Sequence, residues 1–599
     1  MKLSDFIFKF LNEEYNIKDV FMVSGGGAMH LNDSVGNNKN INVICCHHEQ
    51  ACAIAADGYS RINGNLAVVN VTTGPGGTNT LTGVIGEYLD SVPVLYISGQ
   101  VKFETTIESC RELNLRQLGD QEINIIDIVK PVTKYAVMVK DPSKIKYEIQ
   151  KSIHIAKSGR KGPVWLDIPL DIQASNIDEN NLEEYKLENV NKPIIKEQID
   201  EVINILQSAK SPVIIAGHGI RLSNSINEFY KLIDKLDIPV LSTFNGFDII
   251  PTDNKNYVGR IGTIGNRYGN IILQNADVVL SLASRNNIRQ ISYNYENFAK
   301  NAKHFIAVDI DNSELNKPTI NYTLKINNDV NLFIKTLNES LENINIKQHT
   351  KWREWALNIK NKYSKLLNEY IISNDVNPYY FTYELTKKLS DDSIVSCTNA
   401  TPSLALFQVG IVKKNNRMFC NSGCAAMGFG LPASIGAAVA SKDKNVICLE
   451  GDGSLMMNIQ ELQTISYYNL NVKLFLYNNN EYASIRQTHD NFFKRRTGCD
   501  FNSGVSFPNW EFVAKAFNLK YYCIDKKENI NNILDEILNI NGPVFCNVIL
   551  EKDYLFLPKN SSEKLPNGKM VSRSLEDMTP LLSKEELDEN IYKGDNSWN

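Results

Sequence analysis

At 599 residues the chain is too long for one ordinary hydrophobic core and asks for roughly three or four domains, which excludes a small binding module. With 43% hydrophobic and 22% charged residues it has the composition of a folded protein and not of a collagenous, mucin-like or disordered one. Its 63 basic and 68 acidic residues leave a net charge of -5, which gives no general footprint for nucleic acid or an anionic membrane.

The first element, MKLSDFIFKFLNEEY, is broken by Asp5, Lys9 and Asn12 and lacks the continuous apolar core of a secretory signal. No later stretch approaches the roughly 20 apolar residues that span a bilayer. The eleven cysteines are scattered without a CxxC pair, and Cys45 and Cys46 are adjacent, so reduced thiols are expected. The expectation is a cytoplasmic protein with no membrane or nucleic-acid partner.

Short β-rich runs at Leu66–Val71, Val92–Ser98 and Val164–Ile168 alternate with helical patterns and end a first unit near Asp171. A polar stretch from Ile172 to Lys196 reads as a linker. A second unit opens at Ser211–Gly217 and continues through Ala276–Leu282 and His304–Asp309, and a helical Lys/Trp stretch leads to a third, from about Ser393 to Leu550. From Phe556 the tail has no sustained periodicity before a short helical run, SKEELDENIY. There is no short internal repeat. The expected fold class is α/β, with three doubly wound parallel-sheet domains at 1–175, 190–345 (Rossmann-like) and 370–553, and a tail at 554–599.

The strongest local pattern is VICLEGDGSLMMNIQELQTISYYNLNVKLFLYNNNEY: strand, Gly-Asp-Gly turn, amphipathic helix, second strand, Asn-rich loop. Ligands sit at the carboxyl ends of strands in such sheets, so Asp452 and Asn479 can reach one crevice. Their oxygens suit magnesium, which shares sites with phosphates, and Gly451 and Gly453 let the backbone approach the phosphate oxygens. A Gly-Asp-Gly alone is an ordinary turn. Followed by 24 residues and then Asn478-Asn479, it resembles the magnesium and thiamine-diphosphate motif of the thiamine-diphosphate enzyme superfamily. That resemblance implies the thiamine-diphosphate enzyme fold, with pyrimidine-binding, central and diphosphate-binding domains. It also implies Asp452, Asn479 and the main-chain carbonyl of Glu481 as metal ligands, with Ser454, Tyr482 and Ala483 beside the cofactor.

The first unit offers HHEQACAIAADGYSRINGNLAVVNVTTGPGGTNT, which resembles the pyrimidine-binding domain of the acetolactate synthase branch. In that branch the glutamate of HEQ hydrogen-bonds the aminopyrimidine and starts the cycle, which implies that role for Glu49; desolvation in an apolar cleft would favour its protonated form. Read without the resemblance, Glu49 merely caps the helix through Ala51 to Tyr59. The same resemblance implies cofactor contacts at Gly26, Gly74, Pro75, Asn79, Asn399 and Gly423. It implies an active-site glutamine at Gln121, and at Met427, in CAAMGFGLPASIGA, the apolar residue that holds the cofactor bent.

In the middle unit, Gly217 and Gly219 of PVIIAGHGIR follow a strand but do not complete a GxGxxG. Acetolactate synthases bind FAD here without redox turnover, which implies FAD contacts at Arg160, Gly217, Gly219, Gly262, Arg285, Arg289 and Asp309. The two aspartates of the family's RFDDR segment are Asn286 and Ile288 in this chain, which leaves flavin binding open. Further departures are Thr488 where the family carries an acceptor-site tryptophan, and Thr398-Asn399-Ala400-Thr401 where it carries a Gly-Gln-His segment. His30, His47 and His48 have no metal spacing, and Lys494-Arg495-Arg496 reads as a solvated loop before it reads as an anion site.

What the resemblance implies is a carboligase that decarboxylates pyruvate or a related 2-oxoacid and passes the two-carbon unit to a keto-acid or keto-sugar acceptor. Superfamily members place their sites between subunits, which implies a homodimer or homotetramer. A 2-oxoacid decarboxylase, a flavin-linked pyruvate oxidase and a carbon-carbon hydrolase of a cyclic dione stay open as alternatives.

Overall fold

A computed structural model describes residues 1–186, 193, 195–364, 370, 372, 374–442 and 444–594. Three six-stranded sheets follow one another along the chain, and every pairing within them is parallel. The first holds β1 (Asp19–Met22), β2 (Asn42–Cys45), β3 (Ala67–Val71), β4 (Val94–Gln100), β5 (Tyr135–Met138) and β6 (Val164–Pro169). The second holds β7 (Pro212–Ala216), β8 (Val240–Ser242), β9 (Tyr257–Arg260), β10 (Val278–Leu282), β11 (His304–Asp309) and β12 (Leu324–Asn327). The third holds β13 (Ile394–Cys397), β14 (Arg417–Cys420), β15 (Val446–Gly451), β16 (Val472–Asn478), β17 (Lys520–Ile524) and β18 (Val544–Ile549). Central strands such as VVLSL and VICLEG are buried along nearly their whole length, as expected of sheets covered on both faces.

Strand order explains where the polar loops gather. The first and third sheets share one order, β2-β1-β3-β4-β6-β5 and β14-β13-β15-β16-β18-β17, although no sequence repeat links them. The middle sheet, β12-β11-β10-β7-β8-β9, has the order of dinucleotide-binding folds. Strand order switches direction between β1 and β3, between β7 and β10, and between β13 and β15, and the outer sheets turn back once more where β6 and β18 insert inside the edge strands β5 and β17. At each central switch the loops leave the carboxyl ends on opposite faces and open a crevice.

Two helices join the outer sheets. Helix Glu49–Asn63 of the first unit lies against helix Gly430–Ser441 of the third, and their alanines share one core with Val69, Leu474 and Trp165. A Cβ on Gly58 would fall 2.1 Å from the carbonyl of Ala433, and one on Gly436 only 1.7 Å from that of Ala55. Only glycine permits that approach.

Two sequence expectations need correction. The stretch from Ile172 is not linker at its start: Lys2 bridges Asn176, the Ile177 amide donates to the Met1 carbonyl at 2.9 Å, and Leu182 packs on the first core. Residues 187–192 and 194 of that expected linker, and 595–599 of the expected tail, lie outside the described residues. The tail is also structured. Lys559–Asn560 pairs with Met578–Thr579, Ser562–Lys564 pairs with Met570–Ser572, and Arg267 donates to the carbonyls of Met578 and Pro580. Strands of two and three residues carry no readable period. Among the described residues no helix is long and apolar enough to cross a membrane, and all eleven cysteines are free.

Candidate active site

At the carboxyl end of β15 the chain turns through Gly451, Asp452, Gly453 and Ser454. Asp452 is 3% exposed; its Oδ1 accepts from the Gly453 amide at 2.7 Å and its Oδ2 from the amides of Asn479 and Asn480 at 3.0 and 2.7 Å. Burial pushes the carboxyl up to about 7 in spite of these donors. The Tyr482 ring covers Gly453, where a Cβ would fall 2.0 Å from Cε1, whereas Gly451 has room for one. The single long helix expected after the turn is split into Asp452–Leu455 and Glu461–Tyr467, with Asn458 between them donating to the Gly428 carbonyl at 2.8 Å.

Asn479 follows β16 and meets Asp452 side on. One end of its carboxamide lies 3.1 Å from the Tyr554 hydroxyl and the other within 3.2 Å of Asp452 Oδ2 and 2.9 Å of the Glu481 carbonyl, and nitrogen and oxygen can take either end. With the amide oxygen on the inner side, three oxygens converge and none of the three carries a hydrogen. Magnesium binds oxygen at about 2.0–2.1 Å in an octahedron, so neighbouring ligands sit about 2.9 Å apart, and this donor set fits the ion. It contains only one carboxylate; no group of three His, Cys, Asp or Glu suited to a metal occurs among the described residues.

Loops after β13 and β14 complete this end. The Ser454 hydroxyl accepts from the Gly428 amide at 2.7 Å and shares a 2.5 Å hydrogen bond with Thr398, while Asn399 donates to the Ala425 carbonyl at 3.0 Å. Gly423 is held by Asp90 of the first unit, whose carboxylate accepts from the Ser422 and Gly423 amides at 3.0 Å each and from Arg61 at 3.0 Å. Met427 is half-buried on this loop. Sequence reading missed Tyr554 and Asp90, because no spacing rule links Asn479 to a residue 75 positions away or Gly423 to one in another unit; Thr398 and Thr401 stood out only as departures from the family's Gly-Gln-His segment.

The Glu49 end forms a second cluster. His48, not Glu49, is the helix cap, its Nδ1 accepting from the Gln50 amide at 3.0 Å. Glu49 is therefore free to accept from Asn79 Nδ2, at 3.0 Å. Gly74, at φ +62°, passes so close to Gln121 that a Cβ would sit 2.2 Å from its carbonyl, so Glu49, Gly74, Pro75, Asn79 and Gln121 share the mouth of the first crevice. Gly26 stands open across it on the loop after β1. Glu122, next to Gln121, is a staple: its buried carboxylate accepts from the amides of Ile107, Leu118 and Gly119. The apolar cleft expected around Glu49 is not supplied by one chain, where the residue is half-buried.

One chain does not bring the two clusters together. Gly58 faces Ala433 and Gly436 faces Ala55, so the two joining helices run antiparallel. Glu49 then lies beside the Ser441 end, roughly 18 Å along the axis from Gly430 and the metal loop. Two hydrogen bonds pin it there, from the Cys45 amide to the Tyr468 hydroxyl at 2.9 Å and from the His47 amide to Glu461 at 3.0 Å.

The middle crevice is a cavity of about 900 Å³ between the loops after β7 and β10, reaching Asp90, Ser91 and Ser422. Arg160, Gly219, Arg285 and Asp309 line it; Gly217, Gly262 and Arg289 do not. Gly217 backs onto the Ala283 carbonyl, Gly262 is bonded to Asn270, and the Arg289 guanidinium lies 4.7 Å over the Phe244 ring. Arg160 pairs with Asp311 and Glu314 at 3.0 and 2.8 Å, and Arg285 donates to the Leu89 carbonyl at 2.8 Å. Burial raises Asp309 to about 6. Asn286 is locked among Ser281, Ser284, Gln290 and Tyr322, where an aspartate would leave its charge buried without a cation.

Comparison with known proteins gives three consecutive domain matches. They are thiamine pyrophosphate enzyme, N-terminal TPP binding domain, over residues 1–125; thiamine pyrophosphate enzyme, central domain, over 199–337; and thiamine pyrophosphate enzyme, C-terminal TPP binding domain, over 401–548. The acetolactate synthase large subunit of Lactococcus lactis subsp. lactis (strain IL1403) is 30% identical over 552 residues, covering 91% of this chain and 92% of the relative. The probable acetolactate synthase large subunit of Methanococcus aeolicus is 30% identical over 586 residues, covering 94% of each. Chloroplastic acetolactate synthase of Arabidopsis thaliana is 29% identical over 559 residues, covering 91% of this chain and 81% of the relative.

Proposed function

The chain belongs to the thiamine-diphosphate-dependent enzymes, in their acetolactate-synthase-like branch, and from that premise we propose that it is a magnesium-dependent carboligase joining the two-carbon unit of pyruvate to a carbonyl acceptor. The observation that carries this reading is the convergence of Asp452, Asn479 and the Glu481 carbonyl at spacings that suit magnesium. Thiamine diphosphate, when bound, supplies the electron sink for decarboxylating a 2-oxoacid. Asp452, Asn479 and Glu481 would hold the ion against its diphosphate, with Ser454 and Thr398 beside them. Glu49 takes and returns a proton at its carboxyl, steadied by Asn79. Gln121 would orient reacting oxygens, and Met427 would be the apolar residue that holds the bound cofactor bent. Thr488 gives the acceptor pocket more room than a tryptophan would, which favours a keto-sugar over a small keto-acid.

Two further parts of the proposal concern assembly and the middle cavity. The antiparallel joining helices hold Glu49 away from its own Asp452, which supports a homodimer or homotetramer in which each site takes Glu49 from one copy and Asp452 from another. FAD fits the size of the cavity, with Asp309 and Arg285 on its wall, and its presence would show as visible absorbance released on denaturation. The protein would work in the cytoplasm, where its thiols stay reduced.

The test is incubation with thiamine diphosphate, magnesium and pyruvate, with and without keto-acids and keto-sugars, followed by mass analysis. A product heavier than its acceptor by one two-carbon unit is expected. Free acetaldehyde alone would make it a decarboxylase, flavin reduction during turnover an oxidase, and no pyruvate consumption with any acceptor would overturn the reading.

A further inference from the structure

We propose that the hydroxyls of Tyr554 and Thr401 set which way the Asn479 carboxamide faces, and so act as positioning residues for the divalent cation. The inference rests on the magnesium reading above and concerns residues outside the ligand set. Tyr554 and Thr401 are 5% and 7% exposed, and their hydroxyls lie 2.7 Å apart. The Tyr554 hydroxyl is also 3.1 Å from Asn479. Its main chain is clamped, because Gln487 donates to the Tyr554 carbonyl at 3.1 Å and accepts from the Phe556 amide at 3.3 Å.

The carboxamide has two ways to sit, and each assigns a direction to the hydroxyl pair. With its oxygen toward Asp452 and the Glu481 carbonyl, three acceptors face one another, an arrangement that only a cation stabilises. Nδ2 then donates to Tyr554, whose own hydrogen must go to Thr401. Turned over, Nδ2 donates to Asp452 Oδ2 and to the Glu481 carbonyl at 3.2 and 2.9 Å, and Oδ1 accepts from Tyr554. In that state Tyr554 is donor to Asn479 and acceptor from Thr401. Either hydroxyl can donate across the 2.7 Å contact, so both directions are open. The cation-ready state needs Tyr554 as acceptor and Thr401 as the sink for its proton; the other state keeps two amide hydrogen bonds without either. Removing the Thr401 hydroxyl therefore penalises the cation-ready state more, since only there does the Tyr554 hydrogen lose its acceptor; removing the Tyr554 hydroxyl takes a partner from Asn479 in both states and cuts Asn479 off from Thr401.

The readout is Mn2+ affinity of the full chain saturated with thiamine diphosphate, followed by electron paramagnetic resonance, with thermal melting as the check on folding. Tyr554→Phe should weaken Mn2+ binding by roughly 10-fold or more, as loss of a partner behind a metal ligand commonly does. Thr401→Val should weaken it as well and Thr401→Ser should restore it. The double variant Tyr554→Phe/Thr401→Val should bind no worse than Tyr554→Phe alone, because both act through one chain of hydrogens. Unchanged affinity in the two single variants, additive losses in the double, or a serine as weak as the valine would overturn the inference. If Tyr554→Phe does not fold, the Val and Ser pair at Thr401 decides. Absence of Mn2+ binding in the unaltered chain would instead remove the magnesium reading itself, and this inference with it.

Discussion

Glu49 and Asp452 are separable at the scale of single residues, because one faces Asn79 at the mouth of the first crevice and the other lies under the third sheet's loop. Asp452→Ala removes the only carboxylate of the ligand set. In that variant thiamine diphosphate with magnesium should no longer raise the melting temperature, whereas in the unaltered chain saturation at 100 times Kd contributes about 2.7 kcal/mol. Glu49→Gln should keep that rise and lose turnover by about 100-fold or more, the size of a missing general acid or base; both are read by thermal melting beside product analysis. A third residue gives a pH slope. Asp167 is fully buried between Ser98 and Gln100, and burial pushes it up to about 7. Between its unfolded value near 4 and that value the native chain binds more protons than the unfolded one, so stability should fall as pH rises through that window. Melting temperatures against pH should show the fall, and Asp167→Asn should make it shallower, leaving the part that Asp452, Glu450 and Asp309, raised by burial in the same way, contribute.

Elements explain which residues a reader of the sequence can find. Asp452 and Asn479 were legible because a strand, a helix and a second strand fix their spacing, and the sheet then sets both at one edge. Tyr554 was not, since it reaches Asn479 from beyond β18, and Thr401, visible only as a departure from the family's segment, meets Tyr554 from the start of the helix after β13; parallel sheets bring distant strand ends together without a sequence period. Arg289 keeps its spacing from Arg285, but the short helix Ile288–Ile291 sets its guanidinium over the ring of Phe244, a residue of the cavity wall, and not on the wall itself. The joining helices were visible only as alanine-rich runs, and their crossing depends on two glycines whose partners lie some 380 residues away. Gly436→Val should therefore destabilise by about 3 kcal/mol through overpacking against the Ala55 carbonyl. In calorimetry the first and third units should begin to melt apart from one another, while the central unit, whose main core draws on neither of the joining helices, should hold its transition.

The whole molecule turns this crossing into a statement about assembly. Three α/β units, two with one strand order and a central one with the dinucleotide-type order, are held so that a single chain carries both halves of a site and cannot close them on each other. A site between copies predicts complementation. Glu49→Gln and Asp452→Ala chains, each inactive alone, should regain activity when unfolded together and reassembled. In a mixed dimer one site inherits both lesions and the other inherits neither. Random pairing makes about half of the dimers mixed, and each has one sound site of two, so roughly a quarter of the unaltered activity should return. A site closed within one chain would leave every copy with a lesion and return none, whatever the mixing ratio. The dependence on ratio adds a second check, because recovery from paired halves must peak at equal amounts and vanish at either extreme.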